Sequence, residues 1–335
     1  LTSAEKVSIL DVIRQMNGSI SPDVAKDVLR SAFREYIGQT IANLGLELMD
    51  GSAQDLSKVQ ELVERYQDGF QPDEVLVEVS VEWDDIFAAG EENYPWKWNL
   101  RALHALCPGI GPGTLSTVFA LVETGKSAFV VSTGFGPESF ITQGAKVMMI
   151  CNEESAKRTM QRAALSHCGL TIEEAYKNRE RGKKIWDRVK DRATVRDAQD
   201  YPTMSAVEAL VRKKKPDILI IDQLDKMQVS GVFTRDDLRL SEVYRKARYM
   251  AKKHNLALIA VSQADASADG RTSLSFTQMA NSKIEADVII GIGKEKTENG
   301  ADNFLRYLHV SKNKLGGTHG RARVKIAPKV SRYIN

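Results

Sequence analysis

The chain has 335 residues, of which 42% are hydrophobic and 27% are charged. This composition is typical of one large α/β domain with a small appendage, or of two modest domains, and it excludes a largely disordered chain. The 47 basic and 44 acidic residues leave a net charge of +3. That excess does not by itself indicate a nucleic-acid-binding protein, although it is compatible with one whose basic groups are clustered.

Cysteine usage and hydropathy restrict the class of protein further. Cys107, Cys151 and Cys168 lack paired spacing, which excludes a disulfide framework and a CxxC zinc site and is typical of a reducing compartment. No apolar run approaches about 18 residues, and the amino end lacks the charged-then-apolar pattern of an export signal. We therefore expect a soluble, cytoplasmic protein with no membrane partner.

Residues 1–70 are predicted to form three short helices. Ser3 would cap the first, Ser21 and Pro22 are typical of the start of the second, and the third includes residues 56–63. Apolar residues recur at three- and four-residue intervals along these segments. Because no polar cluster accompanies them, we expect a small all-α domain used in assembly rather than in catalysis.

Residues 71–95 are predicted to form a linker. Four valines alternate with mostly polar residues between positions 75 and 81, which is typical of a strand. A short helix is expected over 84–89, ending before Gly90. Ile86 and Phe87 would give this helix an apolar face, which indicates docking on another surface, such as a neighbouring subunit.

Residues 96–335 alternate between predicted strands and helices. Apolar runs such as ILII and LALIAV favour a parallel sheet that is buried on both faces, with the last strands added as hairpins. The predicted strands are 114–119, 145–151, 217–222, 256–262, 286–292, 304–311 and 321–327. The predicted helices are 126–142, 154–168, 171–193 with a break near Gly182, 203–213 and 236–254. Pro137 predicts that the first of these helices ends early or kinks.

Residues 120–127, ALVETGKS, follow a predicted strand and open a predicted helix. This arrangement indicates a phosphate-binding loop with Ala120 in the first glycine position. Lys126 would neutralise the β- and γ-phosphates, and Ser127 would place its hydroxyl on Mg²⁺. The alternative is an ordinary turn that happens to contain GKS. The predicted nucleotide-binding residues of the loop are Glu123, Thr124, Gly125, Lys126 and Ser127.

Three polar residues follow other predicted strands at the same edge of the sheet. Asp222 ends PDILIID and is the candidate metal-side acid, with a helix cap as its alternative. Glu153 follows strand 145–151 and is the candidate base for the attacking water, with its neighbour Glu154 as the alternative. Gln263 follows LALIAVS and is the candidate sensor of the γ-phosphate, unless it belongs only to a surface connection.

The order of these motifs resembles the DnaB-type replicative helicases and phage ring helicases. ETGKS, NEES, LIIDQLD, AVSQ, ADVIIGI and SKNKLGG with a later GR occur in that order within about 96–335. The resemblance implies a RecA-like P-loop core and a hexameric ring that encircles single-stranded DNA. The ring would move along the strand, generally 5′ to 3′, using ATP and Mg²⁺. It also implies primase, loader or polymerase partners in a bacterial cell or a phage-infected host.

The resemblance implies a role in trans for Lys312 and Lys314, which would reach the γ-phosphate held by the neighbouring subunit. The family has arginine at the second position, and a lysine ammonium lacks the planar fork of a guanidinium. Arg321 is a candidate substitute.

DNA contact is expected from two loops, 226–237 and 264–276, with Lys226, Arg235 and Arg271 as the phosphate contacts. The basic runs 177–190 and 212–215 are interpreted as solvated helix faces. Two rival functions share the ATPase core: a RecA-type recombinase, and a KaiC-like ring whose state is set by ATP.

Overall fold

The structure is a computed structural model that describes residues 22–51, 94–231, 233–279, 285–295 and 303–335. The chain divides into two compact units, Leu1–Val79 and Ser80–Asn335. The finer division at 70/71 and 95/96 stays a prediction. Within the first unit, helix α1 spans Pro22–Met49 and confirms the second predicted helix. The first and third predicted helices, the linker strand and the short docking helix lie outside the described residues.

The second unit contains a nine-stranded sheet in the order β3-β2-β4-β5-β1-β6-β7-β8-β9. The six strands from β3 to β6 in that order are parallel, and the last three are added antiparallel. The strands are β1 Leu115–Ala120, β2 Val147–Cys151, β3 Ala193–Asp197, β4 Ile218–Asp222, β5 Ala257–Gln263, β6 Val288–Gly293, β7 Leu305–Asn313, β8 Gly320–Ala327 and β9 Arg332–Ile334.

Helices cover both faces of the sheet. Alternate residues of the central strands contribute to two separate apolar clusters, as Val118 and Phe119 of β1 illustrate. This arrangement explains why these strands are apolar at almost every position. The helices of this unit are α2 Arg101–His104, α3 Lys126–Phe135, α4 Ala156–Cys168, α5 Ile172–Lys177, α6 Arg179–Trp186, α7 Met204–Lys214 and α8 Asp236–Lys253. No helix in the described part of the chain is both long and apolar enough to cross a membrane.

The predicted α/β class is confirmed, with three local differences. The predicted break in segment 171–193 is confirmed, but it falls at Asn178 rather than near Gly182, which lies within α6 beside Leu170. Helix α6 ends at Trp186, and only Ala193 of that segment belongs to β3, a short edge strand that was not predicted and has only one buried residue. The strand β9 was not predicted. The predicted early end of helix 126–142 is confirmed, since α3 stops at Phe135, before Gly136 and Pro137.

Candidate active site

The loop between β1 and α3 is shaped by backbone conformations that favour glycine. Glu123 has a φ of 60° and Gly125 a φ of 108°. A Cβ atom on Gly125 would lie 2.7 Å from Ile326 Cδ1 and 2.8 Å from Tyr333 Oη. Glycine is therefore required at 125 both for its left-handed backbone and for the close approach of the carboxyl-terminal strands.

This loop presents an anion-binding helix end. The first N–H groups of α3 have no partner within the helix and carry the positive end of its dipole. Lys126 is 6% exposed, and its ammonium donates to Ala120 O at 3.0 Å. Burial lowers the pKa of Lys126, while the nearby carboxylates Glu153 and Asp222 oppose that shift. A cationic side chain and free N–H groups thus converge where a phosphate would bind.

Ser127 and Asp222 form a paired oxygen site beside the loop. Ser127 Oγ donates to Asp222 Oδ2 at 3.1 Å. Asp222 Oδ1 is buried and has no hydrogen-bond partner among the described residues. Burial, followed by the charge of Glu153, raises the pKa of Asp222 to about 6. A hydroxyl, a carboxylate and an unsatisfied buried oxygen fit Mg²⁺, which prefers oxygen ligands. The helix-cap alternative does not hold, because Gln223 is the residue that precedes the next helical turn.

Glu153 and Glu154 have different surroundings. Glu154 pairs with Arg162 at 2.8 Å and with Arg158 at 3.6 Å. Glu153 lines the cavity beside Lys126 and Ser127 and accepts a hydrogen bond from Gln223 Nε2. The structure therefore places Glu153, and not Glu154, beside the phosphate loop as an acceptor.

Sequence reasoning missed the residues that hold these groups in place. Gln223, in the left-handed conformation, contacts Glu153, and Asn152 Nδ2 donates to Asp222 O at 2.9 Å. These two side chains join the ends of β2 and β4. Their positions directly beside Glu153 and Asp222 are the only sequence signal that would have indicated them.

The cavity in front of the loop has a volume of about 360 Å³. Its walls combine the loop with residues from α4 and from the carboxyl-terminal strands. Arg162, Arg306, Ile326 and Pro328 belong to this wall and were not predicted. No local motif marks them, because they reach the site through the fold.

Gln263 lies close to the loop. It is the last residue of β5 and is in register with Ala120, the last residue of β1. Ala264 N donates to Ala120 O at 3.0 Å, which ties the segment after Gln263 to the start of the loop.

Lys312 and Lys314 lie elsewhere. Lys312 is in register with Ile289 of β6, which is in register with Thr117 of β1, and Lys314 N donates to Asp287 O at 2.8 Å. These lysines are therefore near the amino-terminal end of β1, away from the loop of their own chain. Burial, followed by the charge of Lys314, lowers the pKa of Lys312.

The side chains of the predicted substitute for Lys314 and of the predicted DNA contacts are held in different ways. Arg321 donates to Thr272 Oγ1 at 2.7 Å, so its guanidinium is bound to a loop of its own chain. Arg235 forms a two-bond ion pair with Asp237, at 3.0 and 2.7 Å, which compensates its charge. Lys226 and Arg271 are exposed on their loops.

Comparison with known proteins agrees with this geometry. A family model described as the DnaB-like helicase C terminal domain matches residues 97–335. No curated protein sequence matches the chain significantly. A solved structure of a DnaB-like replicative helicase, studied with its interactions with primase, is 15% identical and covers 93% of this chain and 78% of its own, with a TM-score of 0.68.

A second solved structure, the ATPase domain of a phage helicase, is 13% identical and covers 84% of this chain and 99% of its own, with a TM-score of 0.57. At these identities the two structures show the fold, which is the predicted RecA-like P-loop core. The family match covers most of the chain and agrees with the order of motifs in the sequence. The chain therefore belongs to the DnaB-like helicase family.

Proposed function

We propose that the protein is an ATP-dependent replicative DNA helicase that moves along single-stranded DNA as a ring, 5′ to 3′, and unwinds duplex at a fork. The observation that carries this proposal is the convergence of the phosphate loop, the Ser127–Asp222 pair and Glu153 around one cavity. This set of groups is the one that phosphoryl transfer to water requires.

Each residue of the site has a separate task in hydrolysis. The N–H groups of the loop and the Lys126 ammonium bind the β- and γ-phosphates of ATP, the substrate. Ser127 and Asp222 would hold Mg²⁺, which neutralises charge on the triphosphate. Glu153, held by Gln223, accepts a proton from the attacking water. Gln263 contacts the γ-phosphate and reports its loss to the 264–276 loop.

The placement of Lys312 and Lys314 supports a ring. Because the register puts them away from their own phosphate loop, they would act on the triphosphate of a neighbouring subunit. Each subunit then supplies one site with its loop and the next site with its lysines. A closed homo-oligomer, which we expect to be hexameric, gives every subunit both roles.

A groove supports the same assembly. A cavity of about 550 Å³ lies between α4 and the pair α5–α6. Leu165, Ile172 and Trp186 line it, and Arg179 and Lys183 add positive charge. Residues 82–92, EWDDIFAAGEE, combine apolar side chains with five carboxylates. We propose that this segment of a neighbouring subunit docks in the groove, since its apolar side chains and its negative charge complement the apolar and basic lining of the groove.

The DNA would pass along the loops that follow β4 and β5. Lys226 and Arg271, which are exposed, would contact its phosphates, and Arg235 would contribute less because Asp237 compensates its charge. By analogy with the similar helicase structure studied with primase, primase is a proposed partner of this chain. A loader and a polymerase are further expected partners.

The proposal is tested by measuring ATP hydrolysis with and without single-stranded DNA, together with unwinding of a forked duplex. We expect DNA to stimulate hydrolysis and Lys126→Ala to abolish both activities, because phosphate charge is no longer compensated. The exposed Lys214→Ala is the matched control and should behave as wild type. A hydrolysis rate that does not change with DNA would favour a KaiC-like ring whose state is set by ATP. Pairing of homologous strands would favour a recombinase.

A further inference from the structure

Arg306, the second residue of β7, is a buried cation beside the phosphate loop. It is 2% exposed and lines the same cavity as Lys126 and Glu153. Its Nε donates to Thr124 O, within the loop, at 2.7 Å, and its Nη1 donates to Leu305 O at 2.7 Å. A charged donor is thus fixed on the backbone of the loop, although 182 residues separate the two positions in the chain.

This bond determines where the loop directs its N–H groups. In a trans peptide the carbonyl and the following N–H point in opposite directions. A carbonyl of Thr124 held by Arg306 therefore turns the N–H of Gly125 away from β7. Tyr333 Oη donates to Gly125 O at 3.3 Å, a carbonyl that also accepts the first helical hydrogen bond of α3, from Phe129 N at 2.9 Å. The Thr124–Gly125 peptide is thus oriented from outside the loop, and the next peptide is held jointly by α3 and Tyr333.

The strand that carries Arg306 also carries Lys312. Arg306 is near the start of β7, next to Tyr307, which is in register with Gly293 at the end of β6. Lys312 is near the other end, in register with Ile289. The six residue steps from Arg306 to Lys312 correspond to about 20 Å at the usual rise of about 3.3 Å per residue. One continuous strand therefore joins the subunit's own phosphate loop to the lysines proposed to act on the neighbouring site.

We propose that Arg306 is a positioning residue that orients the phosphate loop and, through β7, couples the state of that loop to Lys312 and Lys314. This inference rests on the proposed ring ATPase. Within a ring, a change in the loop when the triphosphate binds or is lost would be transmitted along β7 to the cations offered to the next subunit.

The first test compares Arg306→Gln and Arg306→Lys with wild type. Loss of a charged hydrogen bond to the loop predicts an ATP KM higher by about tenfold or more for Arg306→Gln, with partial recovery in Arg306→Lys. DNA binding without nucleotide and ring mass should stay unchanged, which a merely destabilised protein would not show. The exposed Arg323→Gln on β8 is the control. An unchanged KM in both Arg306 variants would overturn the positioning role.

Tyr333→Phe keeps the test decisive if Arg306→Gln does not fold. It removes the hydroxyl donor to Gly125 O but retains the ring, which contacts Phe129 at 5.4 Å between centroids. We expect a smaller rise in the ATP KM, in the same direction. A folded Tyr333→Phe protein and a folded Arg306→Lys protein that both bind ATP as wild type would also overturn the positioning role.

The second test measures coupling in mixed rings at saturating ATP. Lys314→Ala subunits supply intact phosphate loops, and Glu153→Gln subunits, which bind but do not hydrolyse ATP, supply Lys314 to them. Adding Arg306→Lys to the Glu153→Gln subunits should reduce the rescued rate severalfold, although the hydrolysing site contains no changed loop contact. An equal rescued rate would overturn the coupling.

The activity of the wild type distinguishes a failure of the proposed function from a failure of the proposed coupling. Absence of DNA-stimulated hydrolysis in wild type would contradict the proposed function. Active wild type with no rescue by the parent Glu153→Gln subunits would refute the trans role and the coupling with it. Active wild type and normal rescue in the presence of Arg306→Lys would refute the coupling alone.

Discussion

Replacing Asp222 with asparagine removes a negative charge that destabilises the folded protein but that the proposed Mg²⁺ site requires. Asp222 is 4% exposed, and burial together with Glu153 raises its pKa from 3.8 to about 6. Ionised Asp222 is therefore unfavourable in the folded protein without nucleotide. At 1.36 kcal/mol per pKa unit, the difference corresponds to about 3 kcal/mol. Asparagine has nearly the same shape, and its carbonyl oxygen can still accept from Ser127.

The sign of the effect follows from proton binding. Between pH 3.8 and about 6, the folded chain keeps a proton that the unfolded chain has released. The contribution of Asp222 to stability is therefore greatest below pH 3.8 and is lost as the pH rises to about 6. Asp222→Asn should raise the free energy of unfolding by up to about 3 kcal/mol at about pH 8, and by less at about pH 4.5.

The assay is urea denaturation at both pH values, repeated with Mg²⁺ and ATP. We expect the ligands to stabilise wild type more than Asp222→Asn, and hydrolysis to be lost in the variant. Asp200→Asn, at an exposed carboxylate, is the control and should change stability little at either pH. A variant no more stable than wild type at about pH 8, or a gain independent of pH, would refute the electrostatic reasoning.

Three further changes test other parts of the site. Gly125→Ala should abolish ATP binding and lower the free energy of unfolding by about 1–3 kcal/mol or more, as measured by nucleotide titration and urea denaturation. The control Gly144→Ala, at a φ of 101° with no atom near its Cβ, should lower stability without affecting ATP binding. ATP binding by Gly125→Ala would contradict the role of Gly125. Glu153→Gln should bind ATP but hydrolyse it about 10²–10⁴-fold more slowly, and an equal loss in Glu154→Gln would shift the base assignment. Arg271→Ala should weaken single-stranded DNA binding and reduce the salt slope by about 0.7, more than Arg235→Ala does; equal effects would show that the Asp237 ion pair does not matter.

The parts of the molecule that the sequence predicted are those encoded locally. The runs of apolar residues indicated buried parallel strands, and the structure buries β1, β2 and β4 completely. Because the carboxyl ends of parallel strands share one edge of the sheet, the residues that follow these strands could be grouped into one site from the sequence alone. Asp222 beside Ser127, and Glu153 beside Lys126, follow from that rule.

The parts that could not be predicted depend on contacts between distant segments. Arg306 reads as one basic residue in a strand, and only the antiparallel addition of β7 places it on Thr124. The edge strand β3 lacks the apolar run of the central strands because only one of its residues is buried. Segment 171–193 is interrupted at Asn178, whose φ of −114° and ψ of 41° are not helical, whereas Gly182 stays within α6.

The most direct measurement is an image of the assembled protein with a non-hydrolysable ATP analogue and single-stranded DNA, at a resolution that shows side chains. We expect the triphosphate between Lys126 of one subunit and Lys314 of the next, with DNA in the centre of the ring. A nucleotide bound entirely within one subunit, away from residues 120–127 or out of reach of any neighbouring lysine, would contradict the proposed ring ATPase.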